Sequence, residues 1–260
     1  MTPFHFGPEE APLFGSYAPP RPSVARKAGV LLCAPIGLEY LRTHYAIRLL
    51  ALQLADRGFH VLRFDYHGAG DSSCDIGAGQ FDVWLDDIVI AARELADLSG
   101  VAEPAVVGLR MGAALALKAA SSREQKWKGV VLWDPVVSGH EYLSSIAEMN
   151  SQMAADRKLP PRETDELLGA RYPEDLRRAI QDINLLNLVE VPDVSDAALV
   201  TSEERPEYSA LLKAIQNRWP DAAYRSMEDP VNWTSLKAAF DARMTGPIVR
   251  AVAEAVERVA

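Results

Sequence analysis

The sequence has few of the features that mark secreted, membrane-bound or nucleic-acid-binding proteins. It contains two cysteines, Cys33 and Cys74, in unlike surroundings, which argues against a disulfide framework or a zinc site. No stretch is long and apolar enough to span a bilayer, and the first residues do not resemble a signal peptide. The formal net charge is -9, without clusters of lysine and arginine. We therefore expect a cytoplasmic protein with no metal, no cofactor, no nucleic-acid partner and no membrane insertion.

Strands alternate with helices along the chain, a pattern typical of a single α/β domain spanning residues 1–260. An antiparallel pair at a sheet edge is expected at 4–7 and 13–18. The expected parallel strands are 29–34, 60–65, 104–109, 129–134 and 197–201, and the expected helices are 39–57, 81–98, 111–120, 208–216 and one that begins at 246. The sequence thus predicts a mostly parallel sheet flanked by helices.

Two segments carry more detailed expectations. Residues 139–188 are polar and helical without a clear strand, and an insertion of this length predicts a helical lid within the domain. In the helix predicted at 39–57, the spacing of four apolar residues predicts an amphipathic helix that stops at Gly58. These four residues are Leu41, Tyr45, Leu49 and Leu52.

The segment around Arg110 has the frame of a nucleophile elbow, with arginine where the nucleophile should stand. A short apolar run leads into Gly-x-Arg-x-Gly at residues 108–112, and an alanine-rich run follows. Gly108 and Gly112 allow strand and helix to approach closely. Arg110 cannot replace a serine nucleophile, because guanidinium stays protonated and has no lone pair to offer.

The sequence resembles the α/β-hydrolase superfamily, in the branch of serine-aminopeptidase-type hydrolases, and more closely the bacterial exosortase-associated hydrolases. Four stretches carry the resemblance: residues 33–40 with His44 further on, residues 64–72, the elbow, and residues 132–137. The resemblance implies an α/β-hydrolase fold. It also implies a catalytic triad in the chain order serine, acid, histidine.

The resemblance indicates which parts of that catalytic machinery remain. The oxyanion donors would be the amide of Met111 and an amide in the turn at Ile36 and Gly37. The acid would follow the strand at 197–201, where Glu203 and Glu204 stand. The base would fall at about 228–233, but the five histidines are His5, His44, His60, His67 and His140. Nucleophile and base are therefore missing, and ordinary serine-hydrolase catalysis is not expected.

Other residues near the predicted site have two interpretations each. His67 is a candidate base in a glycine-rich loop, or a loop histidine bonded to backbone. Asp134 ends a strand on the functional side of the sheet, where it is a candidate catalytic carboxylate or a cap for the first turn of the lid. Glu39 and His44 are expected to be neighbours on the first helix, where they would tie the oxyanion loop in place. Cys33 is expected to be a buried, inert thiol.

Arg110 itself leaves three alternatives open. It forms an internal ion pair with one of Glu39, Asp134, Glu203 or Glu204, or it grips the carboxylate or phosphate of a ligand, or it is solvated. The ligand alternative predicts a binding site made of Arg110, Met111, Ile36, Gly37 and Glu39, and we slightly favour it.

The sequence therefore predicts an α/β-hydrolase-like protein with a degenerate triad that binds an acyl-type or anionic small molecule, with non-triad chemistry left open. One alternative is a non-catalytic interaction protein with a protein partner in a bacterial biosynthetic or export pathway. Another is an active ester or thioester hydrolase that uses other residues. A closed, dry pocket would favour the interaction protein, and an open pocket under the lid with Arg110 unpaired would favour a ligand.

Overall fold

The computed structural model describes residues 1–73, 80–121, 125–158, 165–189, 193–227, 233 and 246–260. The strands within these residues are β1 (Thr2–Phe6), β2 (Leu13–Ala18), β3 (Gly29–Cys33), β4 (His60–Phe64), β5 (Ala105–Leu109), β6 (Gly129–Trp133), β7 (Glu166–Leu167), β8 (Ala170–Arg171), β9 (Asp196–Thr201) and β10 (Ala223–Ser226). The helices are α1 (Gly37–Asp56), α2 (Gln80–Ser99), α3 (Met111–Ala120), α4 (Gly139–Asp156), α5 (Glu174–Gln181), α6 (Leu185–Leu188), α7 (Pro206–Arg218) and α8 (Gly246–Val259).

Eight of the described strands form one sheet in the order β1-β2-β4-β3-β5-β6-β9-β10. The pairs β1–β2 and β2–β4 are antiparallel, and the other pairs are parallel. The predicted α/β architecture and its antiparallel edge are therefore confirmed. Because all central strands run the same way, the residues that follow β3, β5, β6 and β9 meet at one end of the sheet.

Helices cover both faces of the sheet, and the central strands are apolar throughout for that reason. In β3, Leu31 and Cys33 pack on the side of α2 and α3, while Val30 and Leu32 pack on the side of α1 and α8. This alternation follows from the two-residue period of a strand. The two resulting cores lie on opposite faces and fix the sheet from both sides.

The structure differs from the prediction in two short elements. β10 was not predicted, because its four residues are half-buried or exposed and carry no apolar alternation. The segment 139–188 contains the two-residue strands β7 and β8, which pair antiparallel, besides α4, α5 and α6. Strands this short leave no pattern in the sequence. That the segment acts as a lid stays a prediction.

The predicted apolar face of the first helix is wrong. Leu41 is 70% exposed, and Tyr45 and Leu52 are also exposed. The side of α1 that packs on the sheet instead carries Thr43, Ala46, Ile47, Leu50, Ala51 and Leu54. Ile47, Leu50 and Leu54 give this inner face a helical spacing of its own, so the sequence contains two apolar stripes and the outer one was chosen. The helix ends as predicted before Gly58, which has a positive φ of 95°.

None of the helices in the described ranges is both long enough and apolar enough to cross a membrane.

Candidate functional site

The turn between β5 and α3 places Arg110 at the end of the sheet where the loops after the parallel strands meet. Arg110 has φ 57° and ψ -122°, a conformation that L-residues rarely adopt. Its amide donates to the carbonyl of Trp133 at 3.0 Å, which ties the turn to the neighbouring strand β6. A Cβ atom at Gly108 would lie 2.4 Å from the Cα of Ala113, and one at Gly112 would lie 2.4 Å from the carbonyl oxygen of Ala34. The two glycines are therefore required by close packing, as the sequence predicted.

The side chain of Arg110 forms a buried ion pair with Glu39. Its Nε–H donates to Oε1 of Glu39 at 3.0 Å, and its Nη1 donates to the carbonyl oxygen of Asp134 at 3.1 Å. Arg110 is 6% exposed and Glu39 is 4% exposed. Burial alone would lower the pKa of Arg110, but the Glu39 carboxylate opposes burial and the pKa lies above its ordinary value. Arg110 is thus a charged, internally paired residue, which is the first of the three alternatives.

Glu39 lies on the first turn of α1, next to the turn that contains Ile36 and Gly37. Burial raises the pKa of Glu39, and the Arg110 guanidinium beside it acts in the opposite direction. Oε2 of Glu39 has no hydrogen-bond partner among the described residues. The expected contact between Glu39 and His44 is not observed. The side chain of Glu39 turns toward the elbow, while Nε2 of His44 lies 3.4 Å from Nη1 of Arg63.

Asp134 follows β6 with a positive φ of 41°, and both of its carboxylate oxygens are occupied. Oδ1 accepts from the amide of Ser202 at 2.6 Å, and Oδ2 accepts from Nε1 of Trp233 at 2.7 Å. Burial raises the pKa of Asp134, although these two hydrogen bonds lower it in part. The expectation that Asp134 caps the first lid turn is wrong, since Ser138 accepts from the Glu141 amide at the start of α4.

Trp233 is the functional-site residue that sequence reasoning missed. Within residues 228–233, where the base was expected, it is the one described position. Its indole donates to Asp134, its ring lies edge-on to Trp133 with centroids 5.7 Å apart, and its carbonyl accepts from Nη1 of Arg42 at 3.0 Å. The partner of the Asp134 carboxylate is thus an indole, which can donate a hydrogen bond but cannot accept a proton. The one feature of the sequence that could have pointed to this residue was an apolar tryptophan at the end of residues 228–233.

The other candidate residues lie elsewhere. Nδ1 of His67 lies 2.5 Å from Oδ1 of Asp87, and Nε2 lies 3.0 Å from the carbonyl oxygen of Ala11, so both ring nitrogens are engaged. His67 is therefore bonded to a carboxylate as well as to backbone, and its role as a base stays a prediction. Glu203 is exposed and pairs with Arg205, and Glu204 is exposed as well. The residue that meets Arg110 is Glu39, and not either of these two.

The role of the Ile36 and Met111 amides as oxyanion donors stays a prediction. The amides of Ile36 and Met111 do not donate to any other residue in the part of the chain that is described. Met111 is fully buried at the start of α3, whereas Ile36 and Gly37 line a cavity. The pair of Arg110 and Glu39 joins the elbow to the first turn of α1. The described residues contain no group of three His, Cys, Asp or Glu that could hold a metal ion.

Two cavities of very different size lie near the elbow. The first, beside Glu39, Arg42, Tyr142 and Trp233, has a volume of about 10 Å³, which is room for one water molecule. The second has a volume of about 870 Å³ and lies between the Ile36 turn, the loop at 66–70 and the segment 169–176. Arg110 does not line either of them.

Comparisons with known proteins identify the fold and the family. The model of a family described as serine aminopeptidase, S33, matches residues 41–191, which is more than half of the 260 residues. No curated protein matches the sequence. Among solved structures, Est1E from Butyrivibrio proteoclasticus with bound ferulic acid has a TM-score of 0.68 at 15% identity, over 98% of this chain and 98% of that chain.

Two further structures give the same result. An esterase from Pyrococcus furiosus has a TM-score of 0.65 at 15% identity, over 99% of this chain and 90% of that chain. The thioesterase domain from the curacin biosynthetic pathway has a TM-score of 0.56 at 20% identity, over 99% of each chain. At these identities the likeness shows the α/β-hydrolase fold alone.

Proposed function

This chain belongs to the serine aminopeptidase family S33, and from its altered elbow we propose that it binds an acyl-type small molecule without serine-hydrolase chemistry. The observation that carries the proposal is the buried ion pair between Arg110 and Glu39, 3.0 Å apart at the nucleophile position. A guanidinium cannot act as a nucleophile. The Trp233 indole, which donates to the Asp134 carboxylate, cannot act as a base. A fold that lacks both functions keeps at most the binding contribution of its oxyanion donors and pocket.

The ion pair also bears on which ligand fits. An anionic ligand would require the charge of Arg110, but that charge is already compensated by Glu39 inside the protein. Replacing the internal carboxylate by a ligand carboxylate would leave Glu39 buried without its partner. The geometry therefore favours an acyl-type ligand over the carboxylate or phosphate ligand that the sequence alone left open.

A non-catalytic interaction protein remains a second proposal, supported by one observation. Leu41 and Tyr45 lie one turn apart on the outer side of α1, 70% and 44% exposed. An exposed apolar pair of this kind is suited to a contact with another molecule. Leu41 also lines the large cavity, so the same surface serves the entry of a small molecule. The open cavity of about 870 Å³ favours the ligand proposal, whereas the second criterion for a ligand, an unpaired Arg110, is not met.

The absence of serine-hydrolase chemistry is tested with a fluorophosphonate probe and with short-chain nitrophenyl esters and thioesters, beside a competent esterase as positive control. We expect no labelled serine and no turnover above that of heat-unfolded protein. Competent enzymes turn over on the order of ten times per second. Labelling of any serine, or turnover within tenfold of the control esterase, would contradict the proposal and support an active hydrolase that uses other residues.

A further inference from the structure

The outer side of α1 carries an apolar stripe that the fold leaves uncovered. Leu41, Tyr45 and Leu52 are 70%, 44% and 37% exposed, and they are half of the large apolar side chains that are exposed among the described residues. Exposed apolar side chains that are scattered singly need no explanation, but three on one helix form a patch. The sheet does not account for them, because α1 packs on it with its other side.

The spacing of the stripe is that of a coiled-coil seam. The outer seam of α1 consists of Leu41, Tyr45, Arg48 and Leu52, which follow one another at intervals of four, three and four residues. This is the alternation of the d and a positions of a heptad repeat. Such a spacing sets the side chains in a line about 16 Å long on one face of the helix. A second helix lying alongside covers a line of this kind by knobs-into-holes packing.

The charged side chains along the outer seam are basic. Between Glu39 and Asp56, α1 contains two arginines and a histidine and no acidic residue. In the heptad register Arg48 lies in the seam itself, Arg42 has an e position and His44 has a g position. Arg48 is exposed, and it forms no ion pair within the part of the chain that the structure describes. The positions that select a partner helix by charge are therefore positive or neutral here.

β4 adds a further arginine beside the outer seam. Nη1 of Arg63 lies 3.4 Å from Nε2 of His44. Burial lowers the pKa of His44, as do the charges of Arg63 and Arg48, while Asp65 and Asp71 act in the opposite direction. Arg63 itself forms no ion pair with a carboxylate among the described residues. The arginines beside the seam thus lie within electrostatic range of one another, and an acidic partner would relieve their repulsion.

Charge also decides between the molecules that could cover the outer seam. A second copy of the chain would set one positive seam against another in any symmetric pair, which is unfavourable. An anionic bilayer is recognised by clusters of about four to eight lysines and arginines. The surface has three arginines, on a chain whose net charge of -9 the bilayer would repel. A helix with an apolar face and acidic flanks matches both the leucines and the arginines.

We infer that the outer seam of α1 is a docking surface for an amphipathic helix of a partner protein, with an apolar face and acidic flanks. The apolar face of that helix covers Leu41, Tyr45 and Leu52, and its carboxylates meet Arg48 and the neighbouring arginines. The inference rests on the second proposal, the interaction protein, and gives it a surface and a partner class. It is independent of the ligand proposal, because Arg48 and Leu52 do not line the large cavity.

The test uses a matched pair of designed peptides of about three heptads, both with leucine at a and d. One carries glutamate at e and g and the other carries lysine, so the two differ only in flanking charge. Like charges keep each peptide from pairing with itself. Binding to the full chain is measured by fluorescence anisotropy of the labelled peptide at neutral pH and low salt. We expect the acidic peptide to bind roughly tenfold or more tightly than the basic one, with a ratio that falls as salt screens the arginines.

Variants of the outer seam locate the binding. Arg48→Glu should weaken the acidic peptide roughly tenfold and strengthen the basic one. Lys213→Glu is its control, at an exposed position of α7 on the opposite face of the sheet, and should change neither affinity. Leu52→Ala should weaken the acidic peptide about fivefold, because it removes an apolar anchor. Leu98→Ala, at a leucine on α2 that is 41% exposed, should leave the affinity unchanged.

Equal binding of the two peptides, no saturation by roughly 1 mM acidic peptide, or full binding to a folded Arg48→Glu variant would overturn the inference. Circular dichroism shows whether the variants fold, and Arg48→Glu suffices if Leu52→Ala does not. A dimer in size-exclusion chromatography that Leu52→Ala abolishes would assign the seam to a second copy and overturn the inference. Flotation with phosphatidylglycerol vesicles that Arg48→Glu abolishes would do the same in favour of a membrane. The fluorophosphonate and ester assays test the ligand proposal separately.

Discussion

Nε of Arg110 and Oε1 of Glu39 lie 3.0 Å apart, beside the turn between β5 and α3. The two residues come from the β5–α3 turn and from the first turn of α1, so their pair joins the two backbone turns that would form an oxyanion hole. Both side chains are almost fully buried. The pair is thus a charge-neutral internal contact between these two turns.

Arg110→Ala should destabilise the protein by about 3 kcal/mol or more, because it strands the buried carboxylate of Glu39. Glu39→Ala should be similarly costly, since it strands the guanidinium. The double variant should lose much less than the sum of the two. Alanine keeps the Cβ atom that strains this backbone conformation. The difference in unfolding free energy therefore reports the loss of the guanidinium and not a relief of backbone strain. Urea unfolding of the wild type, the two single variants and the double variant gives the coupling free energy between Arg110 and Glu39. An Arg110→Ala variant as stable as the wild type would show that the guanidinium does not stabilise the empty protein and is kept to bind an anionic ligand.

Cys33 should be inert in the folded protein. Burial raises the pKa of its thiol from 9.0 to about 12, and at pH 8 that lowers the thiolate fraction roughly a thousandfold. In a Cys74→Ser variant, an aromatic disulfide reagent should find no reactive thiol until guanidinium chloride unfolds the chain, and then one equivalent. Rapid reaction of the folded variant would place Cys33 in an accessible strand and contradict its packing against α2 and α3.

Much of the fold could be predicted because its signals are local. Five-residue apolar strands, the alanine-rich helix after the elbow and the Gly58 stop are each encoded within a few neighbouring residues, and each was confirmed. β10 and the β7–β8 pair were not predicted, because strands of two to four residues are too short to show a hydrophobic periodicity. The face of α1 was assigned to the wrong side because the helix carries apolar residues at helical spacing on both sides, and periodicity alone does not show which side meets the sheet.

The sequence predicted which catalytic residue types the candidate site lacks. It did not predict which side chains contact one another there. The sequence showed that position 110 has no nucleophile and that no histidine follows β9. It did not show that Glu39, 71 residues before Arg110, would be the partner chosen from four carboxylates. Nor did it point to Trp233, which lies 99 residues from Asp134. Contacts this distant depend on how the loops after β3, β6 and β10 converge, and a side-chain pattern within one segment does not encode that convergence.

The carboxyl group of Asp134 should make the stability of the protein fall as pH rises. Burial raises its pKa above the ordinary value of 3.8, so above pH 3.8 the unfolded chain releases this proton while the folded chain retains it. The stabilisation contributed by the protonated Asp134 carboxyl is complete below pH 3.8. It is lost as the pH rises through the pKa that this group has in the folded state. The free energy of unfolding of wild type minus that of Asp134→Asn should therefore decrease from pH 4 to pH 7. A difference that grows with pH would mean that the folded carboxyl is ionised throughout.

Arg110→Ser should not create a serine hydrolase, because a serine without a base remains a neutral alcohol. The variant is best made together with Glu39→Gln, which removes the carboxylate that would otherwise be stranded beside the new hydroxyl. We expect no fluorophosphonate labelling of this double variant and no turnover of nitrophenyl acetate. Robust labelling would mean that another described residue already serves as base, and the assignment of the missing function to Trp233 would be wrong.

Adding Trp233→His to that double variant should supply the base. Oδ2 of Asp134 now accepts from the indole at 2.7 Å, and an imidazole at the same position can donate to it and keep its other nitrogen free to take a proton. A positioned base contributes about 100-fold or more, so fluorophosphonate labelling should accelerate by at least that factor over a matched Trp233→Phe variant. Labelling no faster than that of the phenylalanine control, in a protein that remains folded, would show that Trp233 does not stand where the fold needs its histidine.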